Sequence, residues 1–125
     1  MQWFNETHLD EIDERFDELQ GWQTVDLQNG WTADGGIGIK YFKHFGIVYL
    51  NIRLIAGTGA GGTLIGTLPA GYRPISNMIL PVYNTTDRSI NFLVVAWDGT
   101  IRVLSTTTFT PGSLYIGSIS FRADK

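Results

Sequence analysis

The chain has 125 residues, a formal net charge of −3 and no cysteine, which allows one domain with a short appendage and excludes disulfides and thiol chemistry. No apolar run approaches the roughly 20 residues of a membrane-spanning helix, and no signal-peptide pattern opens the sequence. Lysine and arginine are scattered singly, without the basic patch typical of nucleic-acid binding. We therefore expect neither membrane insertion nor nucleic-acid binding.

Charge and glycine content divide the sequence near residue 20. Residues 1–20 contain seven acidic residues and one arginine, a net charge of −6, and they hold all four glutamates. Residues 21–125 contain five aspartates and eight basic residues, a net charge of +3, together with all 15 glycines. We therefore predict an N-terminal segment over residues 1–20 and a head domain over residues 21–125.

The first predicted element is a helix over residues 5–20, which Asn5 or Thr7 can cap and Gly21 can end. Its apolar residues are spaced three, four and three apart, as in the seam of a coiled coil. These seam residues are Leu9, Ile12, Phe16 and Leu19. So narrow a stripe on about 15 residues is marginal alone in water, and Leu followed by Ile favours more than two strands. We expect a parallel homotrimer; the alternative is a helix folded back onto its own domain.

From Gly21 onward the sequence has the pattern of short strands. Residues 37–45 and 48–54 each alternate in two rows around a tight turn at Gly46, which predicts a hairpin of two long strands. Asp98-Gly99 is the strongest further hairpin signal, and Pro81 predicts a strand edge or a bulge. Further strands are predicted over residues 22–27, 64–68, 77–83, 89–97, 100–106 and 114–121. Turns that recur about every 8–12 residues predict an all-β head, an antiparallel barrel or sandwich.

The predicted strand over residues 89–97 is apolar on both faces. One row holds Ile90, Phe92, Val94 and Ala96, and the other holds Leu93, Val95 and Trp97. An antiparallel strand with one solvated face should show a polar row, so a second apolar row indicates contact between subunits. The apolar rows of this strand therefore support a trimer independently of the seam residues.

The glycine-rich stretch over residues 57–62 matches the spacing of a dinucleotide fingerprint through Gly57, Gly59 and Gly62. Its context does not fit, because residues 63–69 are strand-like and end in proline, so no helix can follow. No acidic residue lies about 20 positions further on. We predict a flexible loop without a nucleotide site.

The head contains no glutamate, and His44 is its only histidine. A glycosidase needs two carboxylates about 5–9.5 Å apart, one with a raised pKa. Asp34, Asp87 and Asp98 lie beside glycine or in polar turns, where Asp commonly bonds to the backbone. No cluster has the spacing of a zinc site or a calcium loop. We therefore expect no catalytic residues, no metal and no cofactor.

Residues 65–74 read Ile-Gly-Thr-Leu-Pro-Ala-Gly-Tyr-Arg-Pro and are distinctive. Together with residues 21–31, 41–50 and 98–101, this segment resembles the C-terminal head domains of receptor-binding proteins and tail fibres from siphophages of Gram-positive bacteria. The resemblance covers roughly residues 21–121, and an acidic helix before the head also fits it.

The resemblance implies a homotrimer at the distal tail or baseplate of a virion, which binds host cell-wall or pellicle saccharides. Other baseplate or tail proteins are then expected as partners that bind at the N-terminus. They would contact either an additional N-terminal part of the protein or the first residues of this sequence, such as Trp3 and Phe4. One alternative is a structural or accessory tail protein without its own receptor site. Another is a fragment of a saccharide depolymerase.

Saccharide binding needs an aromatic face and a few planar polar groups. The predicted stacking faces are Trp97 and Trp31, and the predicted polar partners are Asp34, His44, Asp87 and Arg88. Core packing is the alternative for Trp31 and for Trp22, and an exposed turn is the alternative for His44. Arg73 is expected to bond to backbone carbonyls. Trp97 and the turn over residues 84–87 should lie at opposite ends of one strand.

Overall fold

The computed structural model describes residues 21–124, which form eight β-strands. The strands are β1 Gln23–Thr24, β2 Thr32–His44, β3 Ile47–Ile55, β4 Leu64–Thr67, β5 Met78–Asn84, β6 Ile90–Val95, β7 Thr100–Val103 and β8 Leu114–Arg122. Within that range no helix is long and apolar enough to cross a membrane. The predicted helix over residues 5–20 and its seam lie outside the described residues.

All eight strands belong to one antiparallel sheet, in the order β1-β2-β3-β8-β5-β6-β7-β4. The sheet curls, so that the segment after β1 approaches β4: the Gln28 amide donates a hydrogen bond of 2.8 Å to the Ile65 carbonyl. Val25 lies directly over Gly66 at the same junction. The apolar residues inside this curve form one core. The prediction of an all-β antiparallel head is confirmed, in the form of a half-barrel.

The β2–β3 hairpin follows the predicted alternation, because one row of side chains is in the core and the other faces outward. In β3 the buried row is Val48, Leu50, Ile52 and Leu54, and the outward row is Tyr49, Asn51 and Arg53. Phe45 and Gly46 both have positive φ, 50° and 78°. Positive φ at both central residues is the signature of a type I′ turn, whose twist suits a two-residue hairpin.

Residues 34–36 belong to a bulge inside β2. The register of β2 with β3 shifts between Ala33 and Gly38, so residues 34–37 stand outside the ladder. Gly35 and Gly36 adopt φ of 61° and 75°, a conformation that suits glycine. The bulge carries Asp34 back over the outer face of β3.

Strand register defines two ends of the head. Gln23 lies opposite Tyr41, so the same register places Gly21 opposite Lys43, next to the β2–β3 turn. We call this the proximal end, because residues 1–20 join the head there. Asn84 pairs with Tyr115 at the start of β8, so the turn after β5 lies at the other end, which we call distal.

Pro81 lies in β5 opposite Phe92 of β6. Proline is tolerated there because a backbone N–H at this position would have no hydrogen-bond acceptor. The Asn84 amide bonds to the Ser89 carbonyl, and the alternation of an antiparallel ladder then turns the nitrogen of residue 81 away from β6. On that other side, β5 pairs with β8 only through Tyr83 and Asn84. Pro81 therefore occupies a local strand edge, as predicted.

Three glycines of the stretch 57–62, which is predicted to be a flexible loop, lie close to the backbone of neighbouring segments. A Cβ on Gly57 would meet the backbone of Gly30, and one on Gly59 would meet the Phe109 carbonyl. The Phe109 amide also donates to the Gly59 carbonyl at 2.8 Å. These glycines allow backbones to approach each other. The stretch leads into β4 rather than into a helix, as predicted.

The distinctive loop over residues 69–74 is tied to the proximal half of the sheet. The Tyr41 hydroxyl donates to Gln23 Oε1 at 3.2 Å, and Gln23 Nε2 donates to the Tyr72 hydroxyl at 3.1 Å. Burial, with a smaller effect from Tyr72, raises the pKa of Tyr41.

Two basic side chains also hold the 69–74 loop through backbone carbonyls. Lys43 Nζ donates to the Gly71 carbonyl at 2.8 Å. Arg73 Nε donates to the Leu68 carbonyl at 3.0 Å, as predicted for this arginine.

The strand β6 has one buried and one outward apolar row. Leu93 and Val95 belong to the core, whereas Ile90 is exposed and Phe92 and Val94 are half-buried on the outer face. The predicted pattern is therefore present.

Candidate functional site

A shallow cleft of about 660 Å³ lies on the outer face of the sheet, where β1, β2, β3, β5 and β8 come together. We call it the outer cleft. Its principal side chains are Trp22, Lys40, Asn51, Arg53, Tyr83 and Ile116. The strands place them there by register, because Lys40 pairs with Asn51 and Arg53 pairs with Ile116, which in turn pairs with Tyr83.

An aromatic row borders the outer cleft on its proximal side. Trp22 packs edge-on against Phe42 at a centroid distance of 4.4 Å, and Phe42 stacks on Tyr49 at 5.0 Å. Phe42 and Tyr49 are cross-strand partners, so their stacking follows from the pairing of β2 with β3. Trp22 remains 44% exposed. Its ring is therefore both held in place and accessible.

The polar side of the cleft is arranged around Arg53. Its Nε donates to Asp34 Oδ2 at 2.6 Å, in the one ion pair found among residues 21–124. The partners are partly exposed, so the pair orients the guanidinium more than it stabilises the fold. The bulge in β2 makes this contact, since it returns Asp34 to the neighbouring strand.

The outer cleft combines an accessible indole with amide, ammonium and guanidinium donors. An aromatic face can stack on the apolar side of a pyranose ring, while planar polar groups bond to its hydroxyls. Asn51 supplies a donor and an acceptor, and Lys40 and Arg53 supply further donors. This chemistry suits a saccharide and needs no covalent step.

Trp31 was a predicted stacking face, but it belongs to the core and is only 3% exposed. Its indole Nε1 donates to the Thr58 carbonyl at 3.0 Å, and its ring packs edge-on against Phe109. With its ring buried and its only donor occupied, Trp31 has no accessible face for a sugar. The core alternative is the one observed.

The other predicted site residues are spread over the head. Of the six, Asp34 alone reaches the outer cleft, through Arg53. His44 precedes the proximal turn and packs its ring against Phe45, whereas Asp87 and Arg88 lie in the distal turn. Trp97 follows β6, which runs from distal to proximal, and it is 65% exposed. Trp97 and the 84–87 turn therefore lie at opposite ends of β6, as predicted.

The turn aspartates bond to backbone and hydroxyl groups of their own turns. Asp98 accepts from the Thr100 hydroxyl at 2.7 Å and amide at 3.0 Å, which lowers the pKa of Asp98. Asp87 makes the same pair of bonds with Ser89, which lowers its pKa. A general acid of a glycosidase needs the opposite shift. Among residues 21–124, no group of His, Asp or Glu has an arrangement that could hold a metal.

Sequence reasoning missed most of the outer cleft. Core packing is the alternative that the sequence offers for Trp22, and Lys40, Asn51 and Arg53, each in one row of the two predicted hairpin strands, are not predicted site residues. The alternation in β2 and β3 already put these rows on one face. What the sequence did not show was the register that brings Tyr83 of β5 beside them.

The fold resembles receptor-binding head domains of two phages. The head domain of lactococcal phage bIL170 aligns with a TM-score of 0.61 and 14% identity, over 83% of this chain and 98% of that domain. The receptor binding protein of Listeria phage PSA aligns with a TM-score of 0.63 and 17% identity, over 96% of this chain and 76% of that protein. The predicted resemblance to receptor-binding heads of phages of Gram-positive bacteria is thus confirmed at the level of the fold. No protein-family model matches the sequence, and no curated protein is detectably similar to it.

Proposed function

We propose that the chain is the receptor-binding head of a phage tail protein, which attaches a virion to saccharides on the surface of a Gram-positive host. The observation that carries the proposal is the outer cleft, an accessible tryptophan beside oriented polar groups, on a fold shared with receptor-binding heads. The cleft offers shape and hydrogen bonds but no reactive pair, so the proposed role is binding without catalysis.

In this proposal Trp22 is the stacking face, and Lys40, Asn51 and Arg53 bond to sugar hydroxyls. Asp34 keeps Arg53 in position. Residues 1–20 associate three heads through the seam and connect them to the distal tail or baseplate. The outward apolar row of β6 is a candidate contact between heads, since it is too apolar to be a typical solvated face.

Trp97 offers a second candidate stacking face because it is the most exposed tryptophan in the described part of the chain. His44 lies at the same proximal end and is its proposed polar partner. Asp87 and Arg88 would form a separate distal contact. These positions therefore define alternatives to the outer cleft rather than parts of it.

The test uses the fluorescently labelled 125-residue protein, purified wall polysaccharides and whole cells of lactococcal and Listeria strains. Trp22→Ala should weaken binding at least about tenfold, which corresponds to 1.4 kcal/mol, while the melting temperature changes little. Trp31→Ala is the contrasting core variant and should cost about 3–5 kcal/mol of stability. Loss of binding in Trp97→Ala, with Trp22→Ala unaffected, would move the site to the proximal end.

If neither Trp22→Ala nor Trp97→Ala alters binding while the protein stays folded, the hypothesis that a tryptophan ring stacks on the saccharide is wrong. If the unaltered protein binds no cell and no polysaccharide, a structural role in the tail becomes the better explanation. Release of reducing ends from the polysaccharide would instead favour a depolymerase.

A further inference from the structure

A second cleft, of about 340 Å³, adjoins the outer cleft on the same face of the sheet. The exposed side chains that line it are Tyr49 and Asn51 of β3 and Ser118 and Ser120 of β8. We call it the serine cleft. Asn51 lines both clefts, so the two meet at this residue.

Strand register builds the serine cleft. Tyr49 pairs with Ser120, and Asn51 pairs with Ser118. The four side chains therefore project from the same face of neighbouring strands. Serine side chains are short, so the outward row of β8 leaves a depression beside the larger Tyr49. The Tyr49 ring stacks on Phe42 at an interplanar angle of 17° and remains 41% exposed. It is thus held in place on one side and accessible to a ligand.

The polar groups of the serine cleft are available for bonding. Within residues 21–124, neither serine hydroxyl and no side-chain atom of Asn51 takes part in a hydrogen bond. The Thr85 amide donates to the Leu114 carbonyl, so the alternation of the ladder turns the backbone of Ser118 towards β5 as well. β5 pairs with β8 no further than Ile116, so this backbone has no ladder partner there. The cleft therefore offers hydroxyl, amide and backbone groups to a ligand.

The two clefts together are longer than one sugar ring. Trp22 precedes β1, and Ser120 lies three strand spacings away in β8, a distance of about 14 Å. Along β3, Tyr49 and Arg53 are four residues or about 13 Å apart. A single pyranose ring that stacks on Trp22 therefore does not reach Ser120. A chain of two or more linked sugars contacts both clefts, with Asn51 at the point where they meet.

We propose that the outer cleft and the serine cleft are successive subsites for one saccharide chain, so that the receptor is a stretch of at least two linked sugars. Tyr49 provides the second stacking face, and Ser118 and Ser120 bond to hydroxyls of the unit above them. No side chain that lines the serine cleft is charged, so the unit bound there is neutral. The proposal rests on the proposed function, because it extends the same site.

The test compares ligands of different length on the 125-residue protein. Wall polysaccharides of the lactococcal and Listeria strains are cleaved by partial acid hydrolysis, and single sugars are separated from fragments of three to four units. Fragments this short engage one head, so avidity does not contribute to their affinity. Calorimetric titration should give at least about tenfold tighter binding for the longer fragments than for any single sugar.

Two variants remove the second subsite in different ways. Tyr49→Ala removes the stacking face, whereas Ser118→Gln fills the cleft from an exposed position and leaves the stacking of Tyr49 on Phe42 in place. Each should lower the affinity for the longer fragments at least about fivefold and change that for a single sugar beside Trp22 less than about twofold. Tyr49→Phe keeps the ring and should retain the preference. Thr86→Ala, in the exposed distal turn, is the control and should alter neither affinity.

Equal affinity for single sugars and longer fragments would overturn the proposal, because one subsite would then hold the whole ligand. So would a preference for longer fragments that neither Tyr49→Ala nor Ser118→Gln reduces. In both cases, loss of binding in Trp22→Ala would leave the proposed function intact. If the unaltered protein binds neither the polysaccharides nor their fragments, the proposed function and the second subsite both fail.

Discussion

At the scale of single residues, a positive φ marks positions where the residue type does not match the preference of the backbone conformation. Asn29, Phe45 and Arg88 have positive φ among the non-glycine residues from 21 to 124. Asn tolerates this region because its short polar side chain can bond locally, and Asn29 Nδ2 donates to the Leu64 carbonyl at 2.7 Å. Arg88 gains no such bond, although its amide donates to the Asn84 carbonyl at 2.9 Å.

Replacing Arg88 by Asn should stabilise the protein by about 1 kcal/mol, because Asn populates the left-handed region more easily. The amide bond to Asn84 is kept, and the side chain is exposed, so little else changes. Urea unfolding measures the shift of the midpoint. Arg102→Asn, at an exposed residue within β7, is the control and should give no gain. A stabilised Arg88→Asn with reduced cell binding would show that Arg88 contacts the receptor.

Tryptophans show how far single residues could be assigned from the sequence. Trp31 and Trp22 both accompany predicted strands, and core packing is an alternative for each of them, although Trp31 is also a predicted stacking face. The structure separates them through contacts distant in sequence, since Trp31 meets Thr58 and Phe109 whereas Trp22 packs against Phe42 on the outward side of β2. Local pattern does not contain those contacts, so it could not be predicted which of Trp22 and Trp31 is accessible.

At the scale of elements, period-two alternation predicted the hairpin well. It gave the buried row and the outward row of β3 residue by residue, because burial of one face dominates a strand's pattern. The turn was predicted at Gly46, whereas Phe45, predicted as the last strand residue, is the other central residue of that turn. Alternation did not give the order of strands beyond the hairpin. That order depends on which distant strands pair, such as β8 between β3 and β5.

The stretch 57–62 differs most from what its composition alone predicts. Glycine-rich sequence indicates flexibility, yet here the missing side chains let the stretch approach the loop between β7 and β8. Glycine can provide either flexibility or close packing of two backbones. Which of the two it provides depends on the neighbouring segment, and for Gly59 that neighbour is Phe109, about 50 residues away in the sequence.

Gly59→Ala should therefore destabilise the protein strongly, by about 3 kcal/mol, because its Cβ would collide with the Phe109 carbonyl. The carbonyl belongs to the backbone and cannot turn aside as a side chain would. Ala60→Ser, at the exposed neighbouring residue, is the matched control and should change stability by less than about 0.5 kcal/mol. Thermal unfolding of the two variants measures the difference. Similar melting temperatures would contradict the packed arrangement.

At the scale of the whole molecule, the proposed function depends on the number of heads held together. A saccharide offers little apolar area, and loss of hydroxyl hydration offsets part of each hydrogen bond, so one cleft should bind weakly. Three clefts acting on a repetitive surface can raise the apparent affinity by about 10² to 10⁴, provided that they engage together.

Light scattering should give about three times the 13.9 kDa chain mass. Ile12→Asp places a charge in the predicted seam and should lower the mass towards that of one chain, with a matching loss of cell binding. Glu14→Gln, off the seam, should alter neither. An unaltered protein that is monomeric at micromolar concentration would refute the trimer, and binding that is independent of the seam would refute the role of avidity.

The way in which the chain enters the sheet also has a mechanical consequence. Any tension carried along residues 1–20 reaches the head at Gly21 and runs along β1, which lies antiparallel beside β2. A pull in the direction of the strand loads the hydrogen bonds of β1 in shear, so they share the force instead of opening one after another. Trp22 directly follows Gly21 on this path, and its ring borders the outer cleft. In the proposed function, force on the chain would therefore pass through the residue at the receptor contact before it reaches the core.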